Sequence, residues 1–277
     1  MKTFLERLAN HMSRFIAAMD HSGGSTGGVL ERYGQQYTEE DKMDKVHAMR
    51  LRMVNSPAFV KENIWAAILY KDTVERGMVS VLNAKGIKAY LKVDGGCADN
   101  GTLKKFDVRG MIDFAKINGC VGTKMRSIVK SKVVMEPLLE QQFSLAQEIA
   151  NANLMPIVEP EIPIDHPSKE LYEYILREKL EQHLNNFSGK CILKLTLPEN
   201  DNFYSNLMRH KNVRSVVGLS GGYSTEEACE RLNKQSNMTA SFSRALSEGL
   251  YYNQTYNEFD KQITSNIMKI KEASSAL

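Results

Sequence analysis

Cys191-Ile192-Leu193-Lys194-Leu195-Thr196-Leu197-Pro198 is the stretch on which both the fold and the chemistry turn. Apart from one residue it is an apolar run of β-formers, the signature of a buried strand. That residue is Lys194. A charge in the middle of such a run is expensive to bury, so it needs a reason. Lysine is also the side chain whose amine becomes a nucleophile when it is desolvated and set near other cations. Cys191 has the opposite parity along the strand, so it is expected to face flanking helices while Lys194 faces the other side.

Similar short runs recur along the chain at 15–19, 64–70, 89–93, 120–125, 155–158, 213–219 and 238–242, which with 191–197 makes eight. Segments of helical periodicity fill most intervals, among them 43–54, 137–151 and 168–186. Ser224 to Glu227 reads as a capping box opening a helix over 226–235. Phe259, Ile263, Ile267 and Ile270 line one face of a final helix. Strands alternating with helices predict an α/β fold, a (β/α)8 TIM barrel, with a doubly wound open sheet as the competing arrangement. There is no linker, low-complexity stretch or clear repeat, so residues 1–277 are expected to form one domain.

The composition suits a folded enzyme: 42% hydrophobic and 25% charged over 277 residues. A net charge of +3 is too small to imply nucleic acid, and no basic run carries interleaved aromatics. The four cysteines lack metal or redox spacing, so a reducing cytoplasm is the expected compartment. Residues 1–20 mix charges with apolar residues and lack a signal-peptide core. The longest apolar run, 64–70, is far too short to cross a membrane. The six histidines show no one-face ligand pair, so no metal and no cofactor are expected. The 14 methionines fit core filling. A homo-oligomer is compatible with the sequence.

The polar residues strengthen the barrel reading. Asp20, Lys92 with Asp94, Lys124 with Arg126, Glu159 with Glu161, Ser220 and Arg244 all follow or end strand candidates. Three of these are i, i+2 pairs, whose side chains share a direction. In a barrel that direction can be inward at the C-terminal mouth, where active sites are built. Leu219-Ser220-Gly221-Gly222 and Ser243-Arg244 follow the last two strands, the usual phosphate site of such barrels. A second glycine cluster, Ser22-Gly23-Gly24-Ser25-Thr26-Gly27-Gly28, follows the first strand and lacks the Lys-Ser/Thr of a nucleotide loop. With Lys92, Arg126 and Arg244 nearby, the two clusters suggest a substrate with phosphate at both ends.

Several stretches occur in the order of one known family. They are Ala17-Ala18-Met19-Asp20 with Ser22-Gly23-Gly24-Ser25, Leu91-Lys92-Val93-Asp94, and Gly122-Thr123-Lys124-Met125-Arg126. Pro156-Ile157-Val158-Glu159-Pro160-Glu161-Ile162, Leu193-Lys194, Leu219-Ser220-Gly221-Gly222-Tyr223-Ser224 and Ser241-Phe242-Ser243-Arg244-Ala245-Leu246 continue it. Over nearly its whole length the chain resembles class I fructose-bisphosphate aldolase in its shorter bacterial form. The resemblance implies that Lys194 is the Schiff-base lysine and Glu159 the acid/base glutamate, with Glu161 beside it. It implies that Asp20 lies near the sugar hydroxyl where the carbon–carbon bond breaks. Lys124 and Lys92 match active-site lysines, and Arg126 an arginine at the distal phosphate. Ser220, Gly221, Gly222 and Arg244 match the site for the 1-phosphate, while Ser22 and Ser25 fall where the family meets the other phosphate.

Three departures accompany the resemblance. His21 stands where animal enzymes have a glutamate. Gly27 and Gly28 replace positions where relatives often carry a basic residue, which implies a looser grip on the distal phosphate. The tail ending in tyrosine, which animal enzymes use in proton transfer, has no counterpart, leaving the donor to the enamine unassigned. The expected reaction is reversible cleavage of fructose 1,6-bisphosphate to dihydroxyacetone phosphate and glyceraldehyde 3-phosphate. Lys124 is the expected cationic neighbour of Lys194, and Asp20, with Glu159 as rival, the base for the C4 hydroxyl. The competing readings are another Schiff-base barrel, such as a transaldolase or a deoxyribose-phosphate aldolase, and a non-catalytic phosphate-binding scaffold.

Overall fold

A computed structural model describes residues 14–22 and 24–274. Gly23 of the glycine cluster after the first strand, and residues 1–13 of the segment read as lacking a signal-peptide core, lie outside the described residues. Eight strands form one sheet: β1 Phe15–Met19, β2 Ile64–Leu69, β3 Lys88–Lys92, β4 Gly122–Ile128, β5 Met155–Glu161, β6 Cys191–Thr196, β7 Val213–Leu219 and β8 Thr239–Ala240. They pair in sequence order and every pair is parallel. A doubly wound sheet reverses its strand order part-way, and this one does not. The Ala18 N–H donates to the Phe242 carbonyl at 3.2 Å, which brings the end of β8 back to β1 and nearly closes a (β/α)8 barrel.

The alternation of side chains along each strand builds two separate cores. Phe15, Ala17, Ile64, Leu91, Met125, Val158, Cys191, Leu193, Leu195 and Val216 face outward into the large core beneath the helices. Ile16, Ala18, Ala66, Ile68, Tyr90, Ile157, Ile192 and Val217 face inward as a small plug. Cys191 and Lys194 therefore face opposite ways, as their parity requires. Continuing the inward parity by two residues past Ala18, Tyr90, Ile157 and Ile192 of the plug reaches Asp20, Lys92, Glu159 and Lys194, so the polar side chains sit directly above an apolar floor.

The helices are longer or earlier than the periodicity suggests where tertiary burial overrides a local signal. Pro137 reads as a helix start, yet it lies inside the helix Lys132–Asn151. Burial of Met135, Leu138, Leu139, Phe143 and Ala146 along one face carries the helix through it. The glycine cluster after β1 opens the helix Gly24–Arg32, despite a composition that disfavours helix. Val29 and Leu30 on that helix are buried in the outer core and hold it there. Ser224 caps the helix Thr225–Asn233 by accepting from Glu227 N–H at 3.1 Å. The final helix, Tyr256–Ala273, starts with a full Thr255/Glu258 capping box and buries Phe259, Ile263, Ile267 and Ile270. Just beyond it, Ser274 Oγ accepts from Ala240 N–H at 3.1 Å, securing the shortest strand.

Candidate active site

Four side chains meet at the C-terminal mouth, each carried by a different strand end. Lys124 Nζ on β4 lies 2.6 Å from Asp20 Oδ2 at the end of β1 and 3.1 Å from Glu159 Oε2 on β5. Lys194 Nζ on β6 lies 3.1 Å from the other Glu159 oxygen, Oε1. None of the four is more than 8% exposed. The result is a buried chain of alternating charge, Asp20–Lys124–Glu159–Lys194. Two lysines against two carboxylates sum to zero, which is what makes burial of four charges tolerable. The sequence suggests Lys124 as a cation beside Lys194; the structure sets Glu159 between them.

Each charge is held by its neighbours. Burial alone would raise the pKa of Asp20, but Lys124 and Lys194 outweigh it and hold the carboxyl well below the usual range. Burial likewise opposes the charge on Lys124, yet Asp20, Glu159 and Asp94 keep it firmly protonated. Glu159 Oε2, although close to Lys124, makes no aligned hydrogen bond. The backbone of Glu159 is pinned by Gln142, whose Oε1 accepts from Glu159 N–H at 3.1 Å and whose Nε2 donates to the Glu159 carbonyl at 3.3 Å.

On one flank, Lys92 Nζ pairs with Asp94 Oδ1 at 2.9 Å and donates to Ser22 Oγ at 3.0 Å. Asp94 in turn accepts from Arg126 N–H at 3.2 Å and Gly96 N–H at 3.0 Å. Arg126 is clamped on Glu161 through its Nε; burial opposes its charge, and the Glu161 contact reverses that and raises the pKa. Ser25 Oγ donates to the Ser22 carbonyl at 2.9 Å, tightening the turn before the first helix.

On the other flank, Gly221 and Gly222 adopt φ of +59° and +120°, conformations closed to most residues, after Ser220. Arg244 donates to the Gly222 carbonyl at 3.4 Å. His21 Nε2 lies 3.2 Å from Ser243 Oγ, tying the end of β1 to the loop after β8. Burial first, and then Arg50, Arg32 and Lys124, push the imidazole down to about 4 against the pull of Asp20, so it is neutral near pH 7. Arg50 reaches from the helix Lys42–Asn55 and donates to the His21 carbonyl at 2.7 Å.

All thirteen residues singled out from the sequence line one cavity of about 560 Å³. The cavity also takes in His21, Gly28, Arg32, Asp94, Cys97, Ser241 and Ser243. Sequence reasoning passed over Arg32 and Gln142. Gln142 had a signal, a polar residue on the buried face of an amphipathic helix; Arg32, at a helix end, had none. Among the described residues no group of three or more His, Cys, Asp or Glu is arranged to hold a metal ion. Cys97, Cys120, Cys191 and Cys229 are free thiols. No described helix is long and apolar enough to cross a membrane.

A scan against protein-family models finds no match. Whole-chain relatives are informative. A protein of Synechocystis sp. named fructose-bisphosphate aldolase class 1 is 44% identical, covering 98% of this chain and 96% of its own. The chain belongs to the class 1 fructose-bisphosphate aldolase family. A second member of that name, from Clostridium acetobutylicum, is 40% identical over 94% of this aldolase-family chain and 95% of its own. The barrel is also that of a Plasmodium falciparum fructose-bisphosphate aldolase, with a TM-score of 0.73 at 19% identity, covering 98% of this chain and 94% of the other. An archaeal fructose 1,6-bisphosphate aldolase gives a TM-score of 0.59 at 13% identity, covering 97% of this chain and 98% of the other. At these identities the two structures speak for the fold alone. Within this aldolase barrel, Asp20, Lys124, Glu159 and Lys194 form the buried charge chain at the mouth.

Proposed function

We propose that this chain is a class I fructose-1,6-bisphosphate aldolase, cleaving its substrate reversibly through an imine on Lys194. The observation that carries the assignment is Glu159 held 3.1 Å from Lys194 Nζ, with an unaligned oxygen facing Lys124, in a buried and charge-neutral set. In that geometry Glu159 takes a proton from Lys194, and the freed amine attacks the C2 ketone. The same carboxylic acid then protonates the carbinolamine hydroxyl, which leaves as water, and the iminium forms.

The iminium is an electron sink. Loss of the C4 hydroxyl proton breaks the C3–C4 bond, its electron pair moves toward nitrogen as an enamine, and glyceraldehyde 3-phosphate departs. Protonation of the enamine at C3 and hydrolysis of the imine release dihydroxyacetone phosphate and restore Lys194. The strong hold of Lys124 on Asp20 favours Glu159 as the carrier of the C4 proton, because a carboxylate held so acidic is a weak base. Asp20 then accepts the hydrogen bond that orients the hydroxyl. Ser220, Gly221, Gly222 and Arg244 would hold the 1-phosphate, and Ser22, Ser25, Lys92 and Arg126 the phosphate at the other end. Binding both ends sets the ketone over the lysine, where positioning supplies much of the rate.

The whole chain acts as one domain in this reading. A cytoplasmic location goes with it, supported by the free thiols. The test is a coupled assay of triose phosphate release from fructose 1,6-bisphosphate, with borohydride reduction during turnover. A reduced adduct should map to Lys194. An adduct on Lys124, or none, would sink the assignment. Turnover of deoxyribose phosphate in place of the bisphosphate would favour the rival Schiff-base aldolase.

A further inference from the structure

The cavity carries more positive charge than its acids balance. Six cationic side chains line it, Arg32, Lys92, Lys124, Arg126, Lys194 and Arg244, against four carboxylates, Asp20, Asp94, Glu159 and Glu161. The pairing shows where the excess lies. Lys92 is taken by Asp94, Arg126 by Glu161, and Lys124 and Lys194 by Asp20 and Glu159. Among the described residues, Arg32 and Arg244 are the cavity cations without an acid partner within ion-pair distance.

Both unpaired charges stand on the same side. Burial, and next the like charge of Arg244, lower the pKa of Arg32, so the two guanidinium groups repel one another in the absence of an anion. Arg244 already leans on the Gly222 carbonyl beside the glycine turn. Arg32 lines the cavity beside Gly28. It lies four residues after Gly28 on the helix Gly24–Arg32, so the two share one helix face. A Cβ placed on Gly28 would sit 3.5 Å from the Arg32 guanidinium, which occupies the space above the glycine. A Cβ there would be in ordinary contact, so it is a longer side chain, such as the basic residue that relatives often carry, that would compete with Arg32 for this space. A basic residue in a last helical turn also meets the helix dipole. That interaction would be satisfied in open solvent and does not call for a second guanidinium close by.

Resting on the aldolase reading, we infer that Arg32 is a substrate-binding residue that closes with Arg244 on the 1-phosphate, so this end holds its phosphate more tightly than the Arg126 end. A phosphate brought between the two arginines relieves their repulsion and accepts charge-assisted hydrogen bonds from both. At the other end a phosphate must compete with Glu161 for Arg126. The asymmetry predicts that a ketose with only a 1-phosphate retains most of the binding of the bisphosphate. Both arginines are exposed to water, which screens them and keeps the expected effect moderate.

The experiment compares Arg32→Gln and Arg32→Lys with the parent chain in borohydride trapping of dihydroxyacetone phosphate and of unphosphorylated dihydroxyacetone. Arg32→Gln should raise the half-saturating concentration of the phosphorylated ketone about tenfold relative to the unphosphorylated one, with Arg32→Lys recovering most of the loss. Equal shifts for the two ketones, or no shift, overturn the inference. Calorimetric titration with inorganic phosphate reads the arginine pair without Lys194 chemistry. It should weaken about tenfold in Arg32→Gln, and unchanged affinity overturns the proposal. Phosphate affinity lost in the variant while the parent chain traps no ketone would defeat the aldolase reading and leave the arginine pair standing.

Discussion

Replacing Lys124 by methionine removes the cation at the centre of the buried chain while nearly preserving its shape. Asp20 Oδ2 and Glu159 Oε2 lie 2.6 and 3.1 Å from its nitrogen, so the two oxygens are at most ~5.7 Å apart. At an effective dielectric of about 20, each lost attraction is on the order of 5 kcal/mol, and the exposed carboxylate–carboxylate repulsion is about 3 kcal/mol. The saved desolvation of the lysine offsets part of this. The expected net loss is that of breaking a buried pair, about 3–5 kcal/mol at pH 7. A repulsion of about 3 kcal/mol corresponds to about two pKa units, so the orphaned carboxylate pair takes up one proton as the pH falls through the range of about 5–7.

The sign differs between the two proteins. In the parent chain Asp20 is held below its ordinary range, so its contribution is present at neutral pH and lost only on strong acidification. In Lys124→Met the folded state binds the extra proton, so its stability rises as pH falls. Urea unfolding at pH 5, 6, 7 and 8 should therefore show the stability deficit shrinking by about 2–3 kcal/mol toward pH 5. Adding Asp20→Asn should restore most of the loss at pH 8. A deficit under about 1 kcal/mol, or one that stays constant across this range, would refute the account of a charge chain centred on Lys124.

Three other outcomes follow from the same geometry. Glu159→Gln keeps the shape but cannot accept a proton, so kcat should fall by about 10²–10⁴ with little change in KM, and a loss under threefold would remove Glu159 from proton transfer. His21 is neutral in the fold down to about pH 4 but charges near its ordinary 6.5 when unfolded, so stability should decline as pH drops between these values. His21→Asn should flatten that slope, and an unchanged slope would place the titration elsewhere. Chelation should leave turnover intact, since the proposed electron sink is an iminium on Lys194. Loss of activity with a chelator and rescue by zinc would contradict the imine mechanism.

Much of this architecture could be read from the chain because strand alternation is a local property. The apolar period of two marks the strands, and the charges that close them fall on one face whatever lies across the barrel. So Lys194, Glu159, Lys124 and Asp20 could each be identified, and Cys191 assigned to the opposite side. Where long-range burial outweighs local preference, the chain misleads: Pro137 sits within a helix, and the glycines after β1 begin one. Arg32 could not be found in this way, since nothing about a basic residue at a helix end says that it passes over Gly28 toward Arg244.

The sequence by itself determined the strand order of chemical groups, the barrel that gathers them and the lysine placed inside an apolar strand. Only the tertiary structure decided which charge neutralises which. Coulomb attraction depends on separations of a few ångströms between residues many positions apart. Those separations put Glu159 between Lys194 and Lys124, tied Arg126 to Glu161, and, among the described residues, left Arg32 and Arg244 as the cavity cations without an acid partner within ion-pair distance.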